Sequence, residues 1–168
     1  FPYTALFRSV WDDFCSWFLE MIKPAYQQPI DRVTFNSAIG ILESNLKLLH
    51  PFMPFLTEEI WHLIAERTTE DALIIASWPE IKAADEKLIA DFDVAAEVIS
   101  GIRTIRKDKN IPFKDAIALK VVNNDNLPDG FDSIIAKLGN ISDIEYITDK
   151  VNGALTFRVK SNEYFIPV

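Results

Sequence analysis

The sequence predicts a mainly α protein: an antiparallel four-helix bundle followed by a small α+β module of β-α-β-β order. Three observations carry that expectation. Apolar residues recur at helical spacing as far as Lys109, breaks marked by proline divide them into separate helices, and after Pro112 the spacing becomes that of short strands. The expected division is a helical domain over 1–109 and a small module over 110–168.

The first helix is expected from Tyr3 to about Lys23. Tyr3, Phe7, Trp11, Phe14 and Phe18 form one row, and Leu6, Val10, Trp17 and Met21 form the next. Pro24 stops it, and Pro29 delays a restart. Asp31 is the expected N-cap of a second helix ending at Leu49, with Phe35, Ala38, Ile39, Leu42, Leu46 and Leu49 inward. The run from His50 to Phe55 holds Pro51 and Pro54 among large apolar residues, which predicts a packed corner. Thr57 is the expected cap of a third helix ending near Arg67. After a loop through Ile74, Ile75 and Trp78-Pro79, a fourth helix should run from Asp85 to about Lys109, with Leu88, Phe92, Ala95, Ile99, Ile102 and Ile105 inward.

In the module, Ala116–Val122 reads as a strand, Asn123–Gly130 as turn-rich, and Phe131–Leu138 as a helix stopped by Gly139. Ile144–Thr148, Ala154–Lys160 and Glu163–Val168 read as strands, the first two joined through Asn152-Gly153 as a hairpin.

Composition narrows the function classes. At 168 residues, with 49% hydrophobic residues and five glycines, the chain can build a core and is not a low-complexity sequence. No apolar run approaches the ~20 residues of a membrane span. One cysteine, Cys15, excludes an internal disulfide and a Cys-rich zinc site; within an aromatic helix it is expected to be buried. The chain opens Phe1-Pro2-Tyr3 with neither signal-peptide features nor an initiator Met, and so reads as a segment of a longer protein. With 17 basic and 25 acidic residues, the net charge is −8. A protein that coats phosphate with its whole surface would not carry that balance, so nucleic-acid binding would need a local patch.

Such a patch is offered by Arg103, Arg106 and Lys107. Their i, i+3, i+4 spacing places them on one helix face, where they could meet phosphates or simply complement the helix C-terminus. Tyr26, in a loop near Lys23, is a candidate for base stacking. Trp11, Trp17 and Trp61 lie in apolar helical stretches and are expected in the core. Glu59-x-x-His62 matches half of a dinuclear carboxylate motif, but no second copy exists, so no metal site is expected. No catalytic residue is expected either: glycine-rich phosphate loops are absent, and only two histidines are available for a triad.

Several stretches together resemble the anticodon-binding region of the class I aminoacyl-tRNA synthetases, and within them the valyl-tRNA synthetase family. They are Phe14-Cys15-Ser16-Trp17-Phe18-Leu19-Glu20 with Lys23, Leu48-Leu49-His50-Pro51-Phe52-Met53-Pro54-Phe55-Leu56-Thr57-Glu58-Glu59-Ile60-Trp61, Trp78-Pro79, and Ile102-Arg103-Thr104-Ile105-Arg106 leading to Asn110-Ile111-Pro112. The proline corner is shared with the isoleucyl and leucyl branch; Ser16 departs from an acidic residue usual in the family. The resemblance implies a tRNA-recognition fragment of an enzyme that ligates valine to its tRNA with ATP. ATP and Mg are then expected in the parent's catalytic domain, and no cofactor in this fragment. The expected partners are valine tRNA and the rest of the synthetase chain, with no membrane and no DNA, in the cytoplasm. Lys23, Tyr26 and Arg32 become candidates for base reading, and Arg103, Arg106 and Lys107 for phosphate contact. The competing expectations are a protein–protein docking bundle and the same region of an isoleucyl- or leucyl-type enzyme.

Overall fold

The computed structural model describes residues 2–80, 83–122 and 130–167, with side chains from Thr4 onward. It forms two compact units, Phe1–Lys82 and Ala83–Val168. The turn expected over 123–129 lies outside the described residues. Among those described, no helix is long and apolar enough to cross a membrane.

The first unit opens with one continuous helix of changing pitch. α1 (Pro2–Arg8) passes into a π-helical stretch, Ser9–Phe18, and closes as α2 (Leu19–Ile22); Arg8 and Phe18 at the joins keep right-handed helical angles. The wider π turn moves side chains off the rows that a 3.6-residue period predicts. Phe14 is buried and stacks on Phe18, whereas Trp11 and Cys15 are exposed, contrary to the expectation of burial.

α3 (Arg32–Leu49) begins as its sequence predicts, with the Asp31 carboxylate accepting the Thr34 N–H at 2.9 Å. α4 (Pro54–Leu63) starts three residues before the expected Thr57 cap, because Pro54 takes the first helical position, where its missing N–H costs nothing. Thr57 is buried instead. Its hydroxyl donates to the Met53 carbonyl and meets His50 Nδ1, each at 2.8 Å. Leu46, Trp61 and Leu73 form the core here, Leu73 coming from a 3₁₀ turn, Leu73–Ile75. The Trp61 indole donates to the Asp71 carbonyl at 2.9 Å, and the Arg67 guanidinium stacks 3.6 Å from its ring while bonding the Trp61 carbonyl and Glu43.

The second unit corrects the expected architecture. No antiparallel four-helix bundle followed by a β-α-β-β module is present among the described residues. The helix expected to complete the bundle, α5 (Glu86–Asp108), groups with the sheet and packs on α6 (Asp132–Gly139) and on β3 (Leu155–Val159). Periodicity identifies an apolar face but not what the face meets. The residues α5 buries are Val94, Ala95, Val98, Ile99, Ile102 and Arg106, while Leu88, expected inward, is exposed.

After α5 the order is β1 (Ile117–Val122), α6, β2 (Ile141–Ile147), β3 and β4 (Asn162–Ile166), a β-α-β-β-β run. The mixed sheet has the order β2-β1-β4-β3. β1 runs parallel to β2 across the α6 crossover, and β4 is antiparallel to both β1 and β3. The expected hairpin through Asn152-Gly153 is therefore not formed, since β2 and β3 lie at opposite edges. Gly153, with φ 79°, only turns a connection, and the hairpin is closed by Lys160-Ser161, where Lys160 takes φ 54°. Gly139 does not stop α6 by conformational freedom either. That role falls to Asn140 at φ 50°, while a Cβ on Gly139 would sit 3.2 Å from Ile102 and 3.1 Å from Ile141.

α5 lies closest to the sheet at Gly101, where an added Cβ would come within 2.4 Å of the Phe157 ring. That ring stacks on buried Tyr164 at 4.9 Å, so moving aside would break the stack. Gly101→Ala is therefore expected to destabilise the second unit by about 1–3 kcal/mol, read as a lowered denaturant midpoint. An unchanged midpoint would show that the ring is not fixed.

Candidate nucleic-acid interface

The six residues singled out from sequence fall into two groups, three in each unit. Lys23 and Tyr26 sit on the connection from α2 to α3, and Arg32 opens α3. Lys23 takes ψ 124° before Pro24, leading the chain out of the helix, and its ammonium lies 3.4 Å from Glu20. The Gln28 N–H donates to the Ala25 carbonyl at 2.9 Å, closing a turn with Tyr26 and Gln27 at its centre and Gln27 at φ 60°. Tyr26 is 89% exposed at that tip, a free ring face on which an unpaired base can stack. Arg32 is exposed at the start of α3. Beside it, hydrogen bonds from Thr34 hold the Asp31 carboxyl below its usual range, so it stays ionised at neutral pH.

The second group lies at the end of α5, and the structure divides it. Arg103 and Lys107 are exposed, one helical turn apart. Arg106 is only 4% exposed, so the expectation that all three project together is corrected for this residue. It continues the buried row of Ile99 and Ile102, one turn beyond Ile102 on the inner face. Its Nε donates to the Gly139 carbonyl at 3.1 Å and its Nη2 to that of Asn140 at 2.8 Å. Its Nη1 serves the carbonyls of Pro112 at 3.0 Å and Asp115 at 2.9 Å. The Phe113 ring lies 5.6 Å from the guanidinium carbon. Burial lowers its pKa from the usual arginine value, with the Asp115 charge opposing the shift, and the group remains a cation. The carbonyls of Gly139 and Asn140 form the negative end of α6, a favourable seat for a buried positive charge.

α5 itself ends in a Schellman turn. The Ile111 N–H donates to the Arg106 carbonyl at 2.8 Å, the Asn110 N–H to that of Lys107 at 3.2 Å, and Asn110 takes φ 53°. The base of the cationic group is thus fixed, while Arg103 and Lys107 extend from the outer face.

The half-motif Glu59-x-x-His62 is not assembled. His62 Nε2 is 3.1 Å from Glu58, whose carboxylate also accepts the Leu73 N–H at 3.0 Å, and Glu59 is exposed. Among the described residues no three His, Cys, Asp or Glu side chains are grouped to hold a metal ion. In the sequence Arg67 marks only the expected end of a helix. Its contacts with Trp61 and Glu43 make it part of the first unit's frame, and an Arg six residues after a core Trp was the only available signal.

A family model described as the anticodon-binding domain of tRNA ligase matches residues 2–122, a span that crosses from the first unit into β1 of the second. The chain is 60% identical over 162 residues to the valine–tRNA ligase of Christiangramia forsetii, covering 96% of this chain and 18% of that protein. It is 43% identical over 164 residues to the valine–tRNA ligase of Parabacteroides distasonis, covering 98% of this chain and 19% of that protein. The chain thus spans less than a fifth of the length of these curated relatives.

The buried guanidinium gives a direct prediction. Arg106→Ala leaves the carbonyls at Pro112, Asp115, Gly139 and Asn140 without their donor and should destabilise the second unit by about 3 kcal/mol or more. Lys107→Ala on the outer face should stay within about 0.5 kcal/mol of the parent. Denaturant midpoints of the two variants check this, and equal midpoints would contradict it.

Proposed function

The chain belongs to the family of anticodon-binding domains of tRNA ligases, and on that premise we propose that it is the tRNA anticodon-arm recognition region of a valine–tRNA ligase. The observation that carries this reading is the family match over residues 2–122; the valine specificity follows the names of the relatives. The proposed parent ligates valine to its tRNA at the expense of ATP. ATP and Mg are assigned to its catalytic domain, and this region contributes no catalytic residue. The proposed partners are valine tRNA and the remainder of the synthetase, in the cytoplasm, with neither membrane nor DNA.

The role proposed for this region is to hold one part of the RNA while the reaction proceeds elsewhere. A net charge of −8 repels phosphate at long range, so the grip must come from places where cations stand together. Arg103 and Lys107 are proposed as phosphate contacts, one turn apart on the outer face of α5. Lys23, Tyr26 and Arg32 are proposed to meet the splayed bases of a loop, with the Tyr26 ring as the stacking surface. Arg106 is reassigned from the RNA to the fold, because its donors are engaged by carbonyls.

The test is binding of the parent ligase to valine tRNA across a salt series. Affinity is expected to fall steeply with added salt. Arg103→Glu combined with Lys107→Glu should weaken binding at least tenfold and flatten that dependence, with the fold retained by circular dichroism. Unaltered affinity and slope in the doubly reversed ligase would remove these residues from the interface.

A further inference from the structure

Around the proline corner the first unit exposes large apolar side chains that its own fold does not cover. Phe55 is 91% exposed, Ile74 75% and Trp78 64%, with Phe52, Met53 and Leu56 exposed beside them. Single exposed apolar residues are ordinary, but a group of this size marks an interaction surface. The group is continuous. Two clefts share His50, Pro54 and Ile74; Lys47 and Trp78 line one, and Phe55, Glu58 and Glu59 line the other.

The corner is also firmly built. The Thr57 hydroxyl gives its proton to the Met53 carbonyl, so the 2.8 Å contact with His50 requires His50 to carry its proton on Nδ1 and donate it. Pro51 and Pro54 fix the backbone on either side of the apolar pair Phe52-Met53. A surface held this way loses little conformational freedom on being covered.

We propose that this corner is the seat on which the remainder of the ligase polypeptide docks, through a surface apolar at its centre and basic at its rim. The proposal rests on the reading of this chain as part of a valine–tRNA ligase. The chain accounts for only 18–19% of the length of its relatives, so most of such a polypeptide lies outside it. Covalent linkage keeps that remainder at high effective concentration, so a modest patch is enough to hold it. The charge of the clefts argues against RNA: two carboxylates, Glu58 and Glu59, line one cleft against a single ammonium, Lys47, in the other. Those carboxylates would repel phosphate but pair with lysine or arginine on a protein surface.

The experiment places a photoreactive benzoyl-phenylalanine at Phe55, and separately at Ile74, in the full-length ligase, and identifies the cross-linked peptide by mass spectrometry. The expected result is a cross-link to a peptide of the same polypeptide outside residues 1–168, formed without tRNA and independent of protein concentration. A cross-link to residues 83–168, to a second copy, to added tRNA, or to nothing at both positions would overturn the proposal. Valine tRNA binding is measured on the same preparations. Lost binding with an intact cross-link would fault the RNA reading and leave the docking surface standing.

Discussion

The guanidinium of Arg106 is the interaction on which the second unit depends. A buried positive charge is costly unless its donors are satisfied, and here they reach four carbonyls from two other segments of chain. One segment follows α5 directly, at Pro112 and Asp115. The other is the α6–β2 turn at Gly139 and Asn140, more than thirty residues away in sequence. One side chain thereby fixes the end of α5, the approach to β1 and the start of β2. The surroundings match this arrangement: Gly139 has no side chain where Ile102 and Ile141 press close, and Asn140 accepts the left-handed conformation that turns its carbonyl toward Arg106.

This changes how the charge of the chain is read. Counting cations along α5 suggests one wide basic face, but the helix sorts them by angle. Arg106 falls in line with Ile99 and Ile102 and is drawn inward; Arg103 and Lys107, about 60° and 100° round the helix from it, remain outside. The inward charge anchors the platform from which the outward charges extend. The exposed cationic surface is smaller than the sequence implies, and its base is tied down by the buried guanidinium.

Legibility from sequence followed the range of the interactions. Local signals read well: Asp31 and Asp85 each cap a helix by accepting the N–H three residues on, and Ile117–Val122 alternates as a half-buried strand should. Partners distant in sequence did not. Nothing in the row Ile99, Ile102 and Arg106 says that its counterpart is a sheet rather than three other helices. Nothing in Asn152-Gly153 says that the strands on either side belong to opposite sheet edges. Thr57 looked like a cap because threonine before paired glutamates usually is one, but Pro54 had already started the helix. At the candidate interface, the exposure of Tyr26 followed from its place between prolines, whereas the burial of Arg106 required the carbonyls of α6, which periodicity does not encode.

The proline corner shows the same limit from the other side. Large apolar residues around two prolines imply packing, but residues 51–56 are exposed, Phe52 at 56% and Phe55 at 91%, so the expected packed corner is not found within the first unit.

The most direct test of the account is arginine-selective modification of the native ligase with a dicarbonyl reagent, followed by peptide mapping. The account predicts that Arg103 is modified readily, while Arg106, three residues on, stays unreacted until the protein is denatured. Modification of Arg106 at the rate of Arg103 would contradict the buried guanidinium and, with it, the division of charge proposed for α5.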